Sequence, residues 1–138
     1  MIPMIRGEAY EDLFQRALRS GRARLSSVVL QELYAGAQIP ADKRDYDAIN
    51  RAFRGRGYMV TPTHDDWTTS GVILARYQQR YGQVEPRDHI NDILITLCAV
   101  QIEAELVTEN VTDMERWKRM LPQAGKKLSI LTVRREEV

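Results

Sequence analysis

The sequence predicts an α/β fold in which helices alternate with short strands of a parallel sheet. Apolar side chains recur at helical spacing in several segments. Short runs of aliphatic and β-branched residues stand between those segments along the whole chain. A parallel sheet buries both of its faces under helices, and alternation of this kind is its usual sequence pattern. We therefore expect a three-layer α/β/α domain with a central parallel sheet.

The first half of the chain carries three predicted helices and two predicted strands. The first helix, 8–19, places its apolar residues on one face, and Ser20-Gly21 ends it. Ser26 or Ser27 is expected to cap the second helix through its hydroxyl group. The further segments are a strand at 24–26, a helix over 28–35, a helix over 42–56 and a strand at 58–61.

The second half continues the alternation. A helix over 65–81 is closed by Gly82, and Pro86 marks the next boundary. The helix predicted over 88–103 is apolar nearly all round, so it should be buried. A strand at 105–108, a short helix capped by Thr112 and a strand at 128–133 complete the chain.

Length and composition indicate one soluble globular domain spanning 1–138. The chain has 138 residues and a formal net charge of +1, so any electropositive site must be local. The single cysteine, Cys98, lies in an apolar run and is expected to be a buried, inert thiol. No run reaches the ~18 apolar residues of a membrane helix. A cytoplasmic protein is the expectation.

Three acidic residues occupy positions where parallel sheets form their sites, beyond the carboxyl ends of the strands. Glu32 lies on the helix after the 24–26 strand. Asp92 lies in the first turns of the apolar helix, where an unpaired carboxylate would be costly to bury. Asp113 opens a helix after the 105–108 strand, with Asn110 in the connecting loop.

Each acid also has a purely structural interpretation. Glu32 could be a solvated helix residue, and Asp113 could favour a helix N-terminus electrostatically. Asp88, one turn before Asp92, is either a helix-start residue or an outer member of the same acidic cluster, and we favour the former. Together the acids offer the oxygen donors that Mg²⁺ or Mn²⁺ prefers. His64 and His89 stand at helix starts and are expected to face solvent.

Three segments resemble the motifs of PIN-domain proteins, in order and at similar spacing. Segment 26–37 is similar to the second PIN motif, a serine-capped helix that carries an acid. Segment 91–99 resembles the third, an Asp followed by an apolar helix ending in small residues. Segment 106–114 resembles the fourth, a strand followed by Thr-x-Asn and then an Asp before a hydrophobic residue.

The resemblance implies a Mg²⁺- or Mn²⁺-dependent endoribonuclease of the VapC toxin type, with RNA as substrate. It also implies a cognate antitoxin protein as partner and a homodimer, with no membrane association. Carried over, Glu32, Asp92 and Asp113 would be catalytic metal ligands, and Asn110 would orient a ligand or phosphate. Thr108 would hold the strand end by hydrogen bonding, with Ser26 supporting the motif.

The resemblance departs at the front of the chain. PIN domains open with a hydrophobic strand ending in Asp and then Thr or Ser, which supplies the first acid. Here segment 1–7 resembles the part that follows that motif, and Glu8 falls within the helix. We expect an N-terminally shortened form with a weakened acidic site, whose activity belongs to a longer form. The alternative is a catalytically inactive PIN-like module that binds an antitoxin or RNA.

Basic residues cluster around the end of the first helix. Arginine suits bidentate phosphate contacts, so this cluster is a candidate RNA-binding surface. Solvated helix faces are the structural alternative. A receiver-like signalling domain is disfavoured, because the acids that such a domain needs after its first strand are absent. The candidate RNA-binding residues are Arg16, Arg19, Arg22 and Arg24.

Overall fold

Helices and short parallel strands alternate along the part of the chain that the computed structural model describes, residues 8–108, 111–121 and 130–132. The described residues divide into two compact units, 8–61 and 62–132. The predicted alternation of helix and strand is confirmed. The strands form two parallel pairs, one in each unit.

The first unit contains helices α1 (Glu8–Ser20), α2 (Ser27–Ala35) and α3 (Pro40–Gly55). Its strands β1 (Leu25–Ser26) and β2 (Met59–Val60) pair in parallel, with Leu25 opposite Met59. Helices α1 and α3 meet through the edge-to-face rings of Phe14 and Phe53, whose centroids are 6.4 Å apart. Both rings are buried, so the apolar faces predicted for these helices form the core of this unit.

The end of α3 shows how local sequence fixes the path into β2. Gly57 adopts a φ of 72°, a left-handed conformation that glycine takes at no steric cost. The amide of Tyr58 donates to the carbonyl of Phe53, and that of Gly57 donates to Arg54. This pair of bonds is a Schellman motif, which satisfies the last carbonyls of the helix and turns the chain into the strand.

The second unit contains helices α4 (His64–Tyr81), α5 (Ile90–Gln101) and α6 (Val111–Met120). Strands β3 (Leu106–Thr108) and β4 (Ile130–Thr132) pair in parallel and in register. Helix α4 begins with a capping box, in which Thr63 and Asp66 bond each other's backbone amides. Helix α5 is buried continuously from Ile93 to Ala99, as its apolar sequence predicted.

Most element boundaries differ from the sequence-based expectations by one or two residues, and the differences in the second unit bear on the candidate site. The segment predicted as one helix over 88–103 is a 3-10 turn (Pro86–Asp88) followed by α5, because His89 breaks the helical backbone with φ −127° and ψ −24°. Helix α6 begins at Val111, so Thr112 lies inside it and is not its cap. The strand predicted at 105–108 begins one residue later, at Leu106. Of the strand predicted at 128–133, residues 130–132 form β4, and the others lie outside the described residues.

None of the described helices combines the length and the apolar character that crossing a bilayer requires.

Candidate acidic site

Asp92 stands in the first turn of α5, next to the part of the helix that is fully buried. Burial raises the pKa of its carboxyl above the ordinary value, and the negative charge of Asp113 raises it further. His89 acts in the opposite direction on the pKa of Asp92. The sequence-based expectation of an acid among apolar neighbours is confirmed, and desolvation outweighs the favourable position at a helix start.

Asp113 stands in the first turn of α6, shortly after the end of β3. Arg116, one turn later, brings its Nη2 atom to 3.5 Å from Oδ1 of Asp113. Both side chains are about one third exposed, so the ion pair is only partly desolvated. Asp113 therefore offers a carboxylate with a cationic side chain already beside it.

The packing of α5 against α6 brings the two acids near each other. Thr96 is fully buried, and its hydroxyl donates to the carbonyl of Asp92 at 2.8 Å. The same hydroxyl lies 3.5 Å from the sulfur of Met114, which follows Asp113 in α6. This contact joins the second turn of α5 to the first turn of α6. Asp92 and Asp113 thus lie on two helices that pack together in the 62–132 unit, where the charge of Asp113 raises the pKa of Asp92.

Glu32 lies in the other unit, on α2, whose buried face is formed by Val28, Val29, Leu30 and Leu33. Its side chain is half-buried, and its Oε1 atom is shielded from solvent. The purely solvated position considered for Glu32 is therefore wrong. Ser26 caps α2, because its side chain accepts a hydrogen bond from the amide of Val28 at 3.1 Å.

The remaining predicted residues of the fourth motif are only partly described. Thr108 is the last residue of β3 and lies opposite Thr132 in the register of the pair. Asn110 lies outside the described residues, as does the segment 122–129. Among the described residues, no three acidic, histidine or cysteine side chains form a group that could hold a metal ion.

The candidate RNA-binding arginines are all exposed. Arg24 has a structural role as well. Its guanidinium lies 4.0 Å from the centroid of the Tyr58 ring and donates to the carbonyls of Gly21 and Ala23. These contacts hold the loop between α1 and β1 against the residue that precedes β2. Arg24 is therefore already engaged by groups of the protein itself.

A cluster of aromatic side chains next to the acidic pair was missed by the sequence analysis. The rings of Tyr77 and His89 lie 5.1 Å and 5.4 Å from that of Trp117, which is fully buried. The expectation that His89 faces solvent is wrong, since it is half-buried in this cluster. Arg116 approaches the same rings, 5.7 Å from the centroid of Tyr77. The i, i+4 spacing of Tyr77 and Tyr81 was the one local signal.

Comparison of the chain with protein-family models, with curated proteins and with solved structures finds no match.

Proposed function

We propose that this protein is a Mg²⁺- or Mn²⁺-dependent endoribonuclease of the PIN type. The observation that carries the proposal is the pair Asp92 and Asp113, which the packing of α5 on α6 brings together. A half-buried carboxylate whose pKa is raised by burial and by a second carboxylate is typical of a functional site.

The donor chemistry of this site fits a hard divalent cation. Carboxylate oxygens are the ligands that Mg²⁺ and Mn²⁺ prefer, and a cation would relieve the repulsion between Asp92 and Asp113. Asp92 and Asp113 would hold it. When bound, such a cation lowers the pKa of a coordinated water and neutralises charge on phosphoryl oxygens.

The chain's own residues would position an RNA phosphodiester at this place. Arg116 presents a guanidinium beside Asp113, within reach of a phosphate that approaches the acidic pair. Thr96 fixes the first turn of α5 through its bond to the Asp92 carbonyl, so it is a positioning residue. Asn110 and Thr108 are proposed to orient the phosphate and to hold the strand end, as the resemblance implies.

The proposal extends to the fold and to the partners. The proposed architecture is the three-layer α/β/α arrangement of PIN domains with a central parallel sheet. We further propose a toxin of the VapC type that acts in the cytoplasm, forms a homodimer and is held by a cognate antitoxin.

A second candidate function is binding of RNA or an antitoxin without cleavage. The ion pair between Arg116 and Asp113 favours it, because the guanidinium occupies one side of a carboxylate that a catalytic cation would need. The two candidates differ in whether RNA is cut.

Incubation of the chain with single-stranded RNA and Mn²⁺ tests the proposal. Because the acidic site is expected to be weakened, we expect slow cleavage, which EDTA abolishes and which is lost in Asp92→Asn and Asp113→Asn. Asp88→Asn, an exposed acid in the turn before α5, is the matched control and should retain activity. If the RNA stays intact while the chain still binds RNA or an antitoxin, the nuclease proposal is wrong and the second candidate, a binding module, is supported.

A further inference from the structure

Tyr81 ends helix α4 with its ring largely in solvent, at 61% exposure. Its centroid lies 4.9 Å from that of Tyr77, one helical turn earlier, and the two rings are tilted by 40°. The guanidinium of Arg80 lies 5.5 Å from the centroid of the Tyr81 ring. The end of α4 thus presents an accessible aromatic ring, supported from behind by a second ring and accompanied by a cation.

A series of contacts within the same unit connects Tyr81 to the acidic pair. Tyr77 contacts Trp117 in α6, with ring centroids 5.1 Å apart. Arg116 approaches the rings of Tyr77 and Trp117, at 5.7 Å and 5.9 Å, and pairs with Asp113. A ligand bound at Tyr81 would therefore lie on the surface that leads to the carboxylates.

From these contacts we propose that Tyr81 and Arg80 form a stacking subsite for a base of single-stranded RNA. This inference rests on the proposed function and names the form of the substrate. Bases of single-stranded RNA are recognised by stacking on aromatic rings and on guanidinium planes. Bases within an RNA duplex are already stacked and cannot reach such a ring.

The charges around Tyr81 fit a polyanion that carries bases. Arg76 and Arg80 are exposed on α4, and the partly exposed Arg116 lies between the rings and Asp113. The base would stack on Tyr81 while Arg80 contacts the adjoining phosphate or the other face of the base. Trp67, also exposed on α4, lies about 21 Å from Tyr81 along the helix axis and has no such arrangement described around it.

Binding of a fluorescein-labelled single-stranded RNA of about eight adenosines, followed by fluorescence anisotropy in EDTA, tests the subsite without cleavage. We expect Tyr81→Ala and Tyr81→Leu to bind about tenfold more weakly than the wild type. Tyr81→Phe keeps the ring and should bind normally. Trp67→Ala is the matched control and should also bind normally. Arg80→Gln should weaken binding more than Arg76→Gln.

An RNA of the same length with abasic nucleotides separates stacking from charge. The wild type should bind it about as weakly as Tyr81→Ala binds the complete RNA, and Tyr81→Ala should not distinguish the two RNAs. The subsite is refuted if Tyr81→Ala binds the complete RNA like Trp67→Ala, or if the wild type binds no RNA. Circular dichroism checks that each variant is folded.

The outcomes separate this inference from the nuclease itself. If RNA binding depends on Tyr81 but no cleavage depends on Asp92, the stacking subsite is supported and the nuclease proposal is refuted. If cleavage depends on Asp92 but RNA binding is the same in the wild type and in Tyr81→Ala, the nuclease proposal is supported and the stacking subsite is refuted.

Discussion

Arg116 lies one helical turn after Asp113 on α6, and its Nη2 atom is 3.5 Å from Oδ1 of the carboxylate. The pair is partly exposed, so its contribution to folding is small, at most about 1 kcal/mol. Its larger effect is on the binding of a cation by Asp92 and Asp113. A guanidinium beside one of two neighbouring carboxylates lowers the local negative potential and competes with a divalent cation.

We therefore expect Arg116→Gln to bind Mn²⁺ more tightly than the wild type in the absence of RNA. Isothermal titration calorimetry measures the affinity. Arg119→Gln is the matched control, since it removes the same charge from an exposed position one turn further along α6. Equal Mn²⁺ affinity in the two variants would show that Arg116 does not compete for the site.

The raised pKa of Asp92 predicts a stability that depends on pH. Because burial raises this pKa in the folded chain, protonation favours folding. That stabilisation is complete below the ordinary aspartate pKa of about 3.9 and is lost as pH rises through the raised pKa. Asp92→Asn should thus melt at a higher temperature than the wild type at pH 7. The difference should close at acidic pH.

Differential scanning fluorimetry over a pH series measures this difference. Asp88→Asn removes an exposed carboxylate near the start of the same helix and should give no gain at pH 7. A wild type that melts at or above the temperature of Asp92→Asn at pH 7 would contradict the prediction. Added Mn²⁺ should raise the melting temperature of the wild type and of Asp88→Asn but not that of Asp92→Asn, by linkage to binding.

The sequence predicts the helices well because their signals are local. Apolar periodicity gave α1 to within one residue, and the continuous apolar run gave the burial of α5. The pairing of the strands was harder to predict from the sequence, because β1 and β2 have two residues each. Their register joins segments that are distant in the chain.

The candidate site was likewise predictable from the sequence only where the signal is local. Asp92 was identifiable as an acid inside an apolar helix, and Asp113 as an acid that follows a strand. The cluster of Tyr77, His89 and Trp117 was not, because three different elements supply its rings and no spacing in the sequence relates them.

Trp117 combines complete burial with an indole N–H that has no hydrogen-bond partner among the described residues. Its contribution to stability should therefore come from packing alone. We expect Trp117→Ala to lower the free energy of unfolding by about 3–5 kcal/mol. Trp117→Phe should lose less, because it keeps a ring and removes an unsatisfied donor.

Urea denaturation followed by circular dichroism measures both losses. Trp67→Ala, at an exposed position of α4, should change the free energy of unfolding by no more than about 0.5 kcal/mol. A loss in Trp117→Phe equal to that in Trp117→Ala would show that the indole N–H is bonded in the folded protein.

Tyr34 joins α2 to α3 through a hydrogen bond of 2.7 Å, which its hydroxyl donates to Oδ1 of Asp47. Lys43 donates to the other carboxylate oxygen at 2.9 Å. These two bonds, that of Tyr34 first, hold the pKa of Asp47 below its ordinary value. A lowered folded pKa contributes stability above the ordinary pKa, and this stability is lost as pH falls through the lowered value.

We expect Tyr34→Phe to raise the pKa of Asp47, measured by NMR titration of its carboxyl carbon. The variant should be less stable than the wild type at neutral pH, with the two converging in acid. Lys43→Gln should also raise the pKa of Asp47, because it removes both a hydrogen bond and a positive charge. An unchanged pKa in Tyr34→Phe would show that the Tyr34 bond does not lower it.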